Sequence, residues 1–145
     1  MKKVSIYTDG ACRGNPGNGG WAAILEYKGI RREICGGERQ TTNNRMELVA
    51  VIEALSRLKE PCEVDLYSDS KYVIDGLSKG WARSWKARGW KKSDNSPALN
   101  PDLWEKLLEL SKVHKFSYNW VKGHDGHPEN ERCDELATGE ADKFI

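Results

Sequence analysis

The 145 residues predict an α/β fold: a five-stranded mixed sheet, three antiparallel strands followed by two parallel ones, with helices on both faces. Three observations lead there. Three stretches with strand-like patterning come first, joined by connections so short that neighbours must run antiparallel. A long amphipathic helical stretch then precedes a fourth strand, which permits a parallel crossover back to the first. The first and fourth strands also share a tail, Tyr7-Thr8-Asp9-Gly10 and Tyr67-Ser68-Asp69-Ser70.

Residues 3–9 alternate, with Val4, Ile6 and Thr8 on one face and Ser5, Tyr7 and Asp9 on the other. Residues 10–20 are glycine-rich and read as turn, through Asn15-Pro16-Gly17 and Gly19-Gly20. Residues 21–27 form the second strand, and Lys28-Gly29 turns the chain into a third, about 31–37. Thr41-Thr42-Asn43-Asn44 supplies capping side chains for a helix over about 43–59. Leu48, Val51, Ala54, Leu55 and Leu58 make its apolar stripe, opposite Glu53, Arg57 and Glu60. Glu47 falls within that stripe, in the first turn. Pro61 closes the helix, and residues 63–69 form the fourth strand. A short helix over 70–77 leads into a tryptophan- and lysine-rich segment, read as a basic protrusion at about 79–97. Residues 102–113 carry leucines at helical spacing, 116–121 form a fifth strand, and Pro128 opens a last helix. No linker divides the chain, so 1–145 reads as one domain.

Charged residues are 31% and hydrophobic residues 38% of the chain, which suits a globular protein with a solvated surface. No apolar run approaches the roughly 20 residues of a membrane-spanning helix. Met1-Lys2-Lys3-Val4 leads straight into a strand pattern and not into a signal-peptide apolar region. The expectation is a cytoplasmic protein. Cys12, Cys35, Cys62 and Cys133 lack paired spacing and read as reduced thiols. A zinc site would have to use His124, His127 and Cys133, without the C-x₂-C pair of common zinc modules, and is disfavoured. The net charge of +1 hides a segregation of sign. Lys79, Arg83, Lys86, Arg88, Lys91 and Lys92 fall in one stretch with three tryptophans and no acid, whereas the C-terminal stretch is acidic. A basic nucleic-acid footprint beside an acidic site fits that pattern.

Four carboxylates, Asp9, Glu47, Asp69 and Asp134, carry the chemistry. Each has an ordinary reading alone: Asp9 as a turn residue before Gly10, Asp69 as a helix cap, Glu47 as a partner of the helix dipole, Asp134 as part of a solvated helix face. Parallel neighbours stand about 4.8 Å apart, so Asp9 and Asp69 can share a site at the carboxyl ends of their strands, where open α/β sheets bind ligands. Four converging acids repel and need cations between them. That points to divalent metal and phosphodiester chemistry.

The motifs that carry these residues are Tyr7-Thr8-Asp9-Gly10 with Gly14-Asn15-Pro16-Gly17, Thr41 through Leu48, Ser68-Asp69-Ser70, and the run from Trp120 to Asp134. In this order, over essentially the whole chain, they resemble bacterial type 1 ribonuclease H. The resemblance implies an endonuclease that hydrolyses the RNA strand of an RNA–DNA hybrid, leaving 5′-phosphate and 3′-hydroxyl ends. It implies dependence on Mg²⁺, with Mn²⁺ as a substitute, and two ions with substrate bound. Asp9 would bridge the ions, and Glu47, Asp69 and Asp134 would complete their shells, with Glu47 also meeting the ribose 2′-hydroxyl. His124 would be an accessory catalyst that moves a proton, and His127 would shape its loop.

Thr42 and Asn15 resemble the family's phosphate pocket for the DNA strand, and Gly10, Asn15, Asn43 and Asn44 its minor-groove contacts. Lys71 stands where some relatives place glutamine. The basic residues of the protrusion, Lys86 and Arg88 among them, would grip phosphates. Trp81 and Trp85, four apart on one helix face, would pack on sugars or bases or brace the protrusion. The expected partner is the hybrid, with no membrane and no obligate protein partner; no apolar stripe is left over, so a monomer is expected. Two other readings use the same residues: a hybrid-binding module without catalysis, and a DNA-directed nuclease or recombinase on the same general fold.

Overall fold

A computed structural model describes residues 1–123 and 126–144. Its elements follow the order β1 (Lys2–Arg13), β2 (Gly17–Tyr27), β3 (Ile30–Thr41), α1 (Asn43–Ser56), β4 (Cys62–Ser68), α2 (Lys71–Ser78), α3 (Trp81–Ala87), α4 (Pro101–Ser111), β5 (Lys115–Trp120) and α5 (Pro128–Asp142). The strands form one sheet in the order β3-β2-β1-β4-β5. β1, β2 and β3 pair antiparallel, while β4 runs parallel to β1 and β5 parallel to β4. The expected architecture is therefore the observed one.

The shared tail of β1 and β4 reports their register. Tyr7 pairs with Tyr67 and Thr8 with Ser68, and the two tyrosine rings stack at 4.8 Å with 16° between their planes. This register brings residues 9 and 69 side by side, one step past the last pair.

Residues 10–20 are the main departure from expectation. β1 continues through Arg13 and β2 begins at Gly17, so only residues 14–16 are left for the turn. Gly14 turns the chain with a positive φ of 79°, whereas Gly10, Gly19 and Gly20 serve close packing. A Cβ on Gly10 would lie 2.5 Å from the Glu47 nitrogen, and one on Gly20 would lie 2.0 Å from the Ala137 carbonyl oxygen. Both obstacles are helix backbone, which cannot swing aside. Gly20→Ala is therefore expected to lower stability by about 2–4 kcal/mol, the range of forced overpacking. Gly139→Ala, with open space around its Cβ, should be neutral or slightly stabilising. Urea midpoints of the two variants check this pair.

Apolar burial divides between the two faces of the sheet. On one face Ile6, Leu25, Val64 and Leu66 meet Leu48, Val51 and Leu55 of α1, Val73 of α2, and Trp104 and Leu107 of α4. On the other, Ala11, Ala22 and Ile24 meet Cys133 and Ala137 of α5. The small residues there let α5 lie close to the sheet. β3 runs four residues past its expected end at 37. It is an edge strand with most side chains in water, so the polar run Glu38-Arg39-Gln40 carries no alternation to read. α1 ends at Ser56, earlier than expected, yet Leu58 still packs on the core.

Candidate active site

The site forms where β1 outruns β4. Asp9 lies inside β1 with four strand residues after it, so it is not the strand-ending residue its sequence context suggests. Its Oδ1 accepts a 2.9 Å hydrogen bond from the Gly10 amide. β4 stops at Ser68, and Asp69 leaves the sheet on the turn into α2. Ser70, not Asp69, caps that helix: its hydroxyl accepts from the Val73 amide at 3.2 Å. Thr42 caps α1, accepting from the Arg45 amide at 3.2 Å. Glu47 is the fifth residue of that helix and lies beyond its first turn, which corrects the expected placement and removes the helix dipole as its reason for being there.

Asp9 and Glu47 are almost fully buried, at 3% and 4% exposure. Oxygens from Asp9, Glu47 and Asp69 all lie within 4.8 Å of one another. Burial, reinforced by the Asp69 charge, pushes the Asp9 carboxyl up to about 8. Burial and the neighbouring Asp9 raise Glu47 well above the usual carboxylate range. Glu47 Oε1 is buried with no hydrogen-bond partner among the described residues. An orphaned buried oxygen beside two other carboxylates, with no basic side chain bonded to them among the described residues, is a donor set for a hard divalent cation.

Asp134 does not join this tight group. It lines the same cleft, of about 530 Å³, together with Arg13, Asn43, Asn44, Lys71 and Thr138. The expectation of four acids at one point becomes three gathered acids and a fourth on the cleft wall. α5 packs on the sheet face opposite α1, so Asp134 approaches from the other side.

The remaining expected residues fall into groups. Gly10 lines the cleft beside Asn43 and Asn44. Asn15 Oδ1 accepts from the Asn43 amide at 3.0 Å, tying the β1–β2 turn to the start of α1. Lys71 places its Nζ 4.6 Å over the Trp120 ring. Trp81 is exposed, whereas Trp85 is half-buried and packs edge-on to Trp104, with ring centroids 5.9 Å apart. Of the two roles left open for these tryptophans, Trp85 takes the bracing one. Lys86 and Arg88 are exposed, with Lys86 Nζ 3.8 Å from Glu105. His127 caps α5, its Nδ1 accepting from the Asn130 amide at 3.2 Å, and its ring tilts against Tyr7 and Tyr67. It thereby fixes the start of α5. Cys133 donates to the Tyr7 carbonyl, so both described members of the disfavoured zinc set are engaged elsewhere. His124 lies outside the described residues.

Two features escaped sequence reasoning. Arg45 forms a two-pronged ion pair with Asp102, at 3.1 and 2.8 Å, and also reaches Asn100. Asn100 and Trp104 both donate to the Tyr72 hydroxyl, so α1, α2 and α4 are knitted together beside the cleft. Trp120 donates to the Asp69 carbonyl oxygen at 3.0 Å. Arg45 and Trp120 stand inside the quoted motifs, but their partners lie 57 and 51 residues away, and no local spacing announces them.

The RNase H family profile matches residues 1–142. A ribonuclease H of Desulforamulus reducens is 57% identical over 141 residues, covering 97% of this chain and 89% of that one. One from Rhizobium etli is 60% identical over 144 residues, covering 99% and 95%. Among solved structures, LC9-RNase H1, a type 1 RNase H with the type 2 active-site motif, superposes with a TM-score of 0.88 at 32% identity, covering 100% of this chain and 74% of that one. The N-terminal RNase H domain of a Mycobacterium tuberculosis protein gives 0.77 at 26% identity, covering 99% and 96%. With a profile match over nearly its full length, relatives near 60% identity, and a solved type 1 RNase H that superposes over the whole of it, the chain belongs to the RNase H family.

Proposed function

We propose that this chain cleaves the RNA strand of RNA–DNA hybrids internally, leaving 5′-phosphate and 3′-hydroxyl ends, with two Mg²⁺ ions held by Asp9, Glu47, Asp69 and Asp134. Mn²⁺ would substitute. The observation that carries the metal site is the group of three carboxylates, two of them buried, with one unsatisfied oxygen. When bound, the ions supply charge neutralisation at the scissile phosphate and a more acidic water.

The chain's own residues do the rest. Asp9, fixed by the Gly10 amide, is the central donor. Glu47, held against Gly10, faces the site from α1 and is the candidate for the ribose 2′-hydroxyl. Asn15, Thr42, Asn43 and Asn44 cluster at the start of α1, where the positive end of the helix dipole favours a phosphate of the DNA strand. Gly10 lines the cleft, and its missing side chain lets α1 bring Glu47 up against β1. Lys71 offers a charge at the rim. On the family pattern His124 moves a proton to or from the attacking water or the product.

Residues 79–97 form the basic protrusion of a single domain spanning 1–145. In it Lys86 and Arg88 grip phosphates, and Trp81 presents an exposed ring. We read the protein as monomeric and cytoplasmic. The larger exposed apolar side chains, Ile30, Leu99 and Val113, sit on separate segments, and the four cysteines are unpaired, as in a reducing compartment. No helix among the described residues is long and apolar enough to cross a membrane.

A labelled RNA–DNA hybrid, with matched RNA and DNA duplexes, in Mg²⁺ or EDTA, tests the function. Only the hybrid's RNA strand should be cut, and only with metal. Comparable cleavage of DNA duplex would favour a DNA-directed nuclease; tight hybrid binding without product would favour a binding module. Replacing both Lys86 and Arg88 with alanine should weaken hybrid binding about tenfold at low salt and lower the log–log salt slope by roughly 2. A titration of binding against salt that leaves the slope unchanged would remove this segment from the binding surface.

A further inference from the structure

Asp69 is the least enclosed member of the three-carboxylate group, and it stands on a turn, not in the sheet. Its placement depends on what holds that turn, and the chain leaving β5 does so. The Val121 amide donates to the Ser68 carbonyl at 2.9 Å. One residue earlier, the Trp120 indole Nε1 donates to the Asp69 carbonyl at 3.0 Å. A Cβ on Gly123 would lie 2.8 Å from Asp69 Oδ2, so the bare glycine backbone forms one wall around that carboxylate. Trp120 is 45% exposed and lies outside the buried clusters. An edge-strand indole left so open adds little to the core. Its one polar atom is committed to the residue whose side chain enters the site, and its ring carries Lys71.

We propose that Trp120 is a positioning residue: its indole N–H fixes the Asp69 main chain and, with the bare Gly123, sets where the Asp69 carboxylate stands relative to Asp9 and Glu47, and so the affinity of the cleft for a divalent cation. This rests on the reading of the three carboxylates as a metal site. Groups that orient a metal-binding side chain change metal affinity by about 10–100-fold when lost. A neutral hydrogen bond to the main chain belongs at the low end, at about 5–10-fold.

The test is calorimetric titration of Mg²⁺ into the substrate-free protein, alongside hybrid cleavage as a function of Mg²⁺ concentration. Trp120→Phe keeps a ring beneath Lys71 and removes the indole N–H. It should raise the Mg²⁺ dissociation constant about 5–10-fold, and the rate lost at low Mg²⁺ should return as Mg²⁺ is raised. Gly123→Ala pushes on the carboxylate from its other side and should shift Mg²⁺ affinity in the same direction; circular dichroism establishes that both variants fold. An unchanged Mg²⁺ dissociation constant in folded Trp120→Phe would overturn the proposal, as would an effect confined to KM for the hybrid. A wild-type protein that binds no Mg²⁺ and cuts no hybrid would overturn the metal-site reading as well.

Discussion

Asp9→Asn is expected to lower hybrid turnover by about 10³-fold or more while leaving hybrid affinity within about threefold, a split that follows from what the substitution spares. Asparagine has nearly the same shape, and its side-chain oxygen can still accept from the Gly10 amide. The fold and the surfaces around Asn15, Asn43 and Lys86 therefore remain. What is lost is the one carboxylate held rigidly in the sheet, with Glu47 and Asp69 both within 4.8 Å. Binding drawn from phosphate contacts along the protrusion and the start of α1 does not need that charge. Single-turnover cleavage and hybrid binding in EDTA, measured on the same preparation, separate the two. Near-wild-type turnover would remove Asp9 from the centre of the mechanism. Asp65→Asn, on β4 away from the cleft, is the control for loss of an arbitrary carboxylate.

The same cleft shows which physical signals survive in a sequence. The register of β1 and β4 was readable because the two strands repeat a pattern, Tyr-Thr/Ser-Asp, and a parallel pair in register repeats its environment. Asp9 and Asp69 could thus be placed together without coordinates. The glycines of residues 10–20 misled for the opposite reason. Gly10 and Gly20 admit helices against the sheet, but a glycine needed for close approach looks like a glycine needed for a turn until the opposing backbone is known. Glu47 was read one turn too early because Asn43 and Asn44 are as good caps as Thr42, and only the bond from the Arg45 amide to the Thr42 hydroxyl decides between them. Trp85 was ambiguous because helical spacing gives a face and not a partner; its partner, Trp104, belongs to α4. Asp134 was assigned to the site through its motif, but its distance from the other three depends on how α5 lies against β2, which no spacing within α5 reports.

In EDTA the wild-type protein should lose stability as pH rises from about 4 to 8, and Asp9→Asn should be the more stable of the two at pH 8. Burial and the neighbouring Asp69 hold the Asp9 carboxyl at about 8 in the folded chain, against about 3.9 when unfolded. Between these values the folded state keeps a proton that the unfolded state has released. Unfolding then sheds protons, and the stability slope with pH is negative. Glu47, also raised, acts in the same direction. Carboxylates held below their usual range by ion pairs, such as Asp102 beside Arg45 and Glu33 beside Arg132, act oppositely and weaken the fold at lower pH. Taking the difference between wild type and Asp9→Asn cancels them. That difference should be small near pH 4 and grow to roughly 2–5 kcal/mol in favour of the variant by pH 8. Saturating Mg²⁺ should narrow it, because a cation among the three oxygens removes the cost of charging Asp9, and binding to the folded state alone raises wild-type stability further. Urea unfolding across pH 4–8, with EDTA and with Mg²⁺, measures both effects. A wild type more stable than Asp9→Asn at pH 8 without metal would mean that the carboxylates are not strained against one another, and the physical reason for a cation in this cleft would be gone.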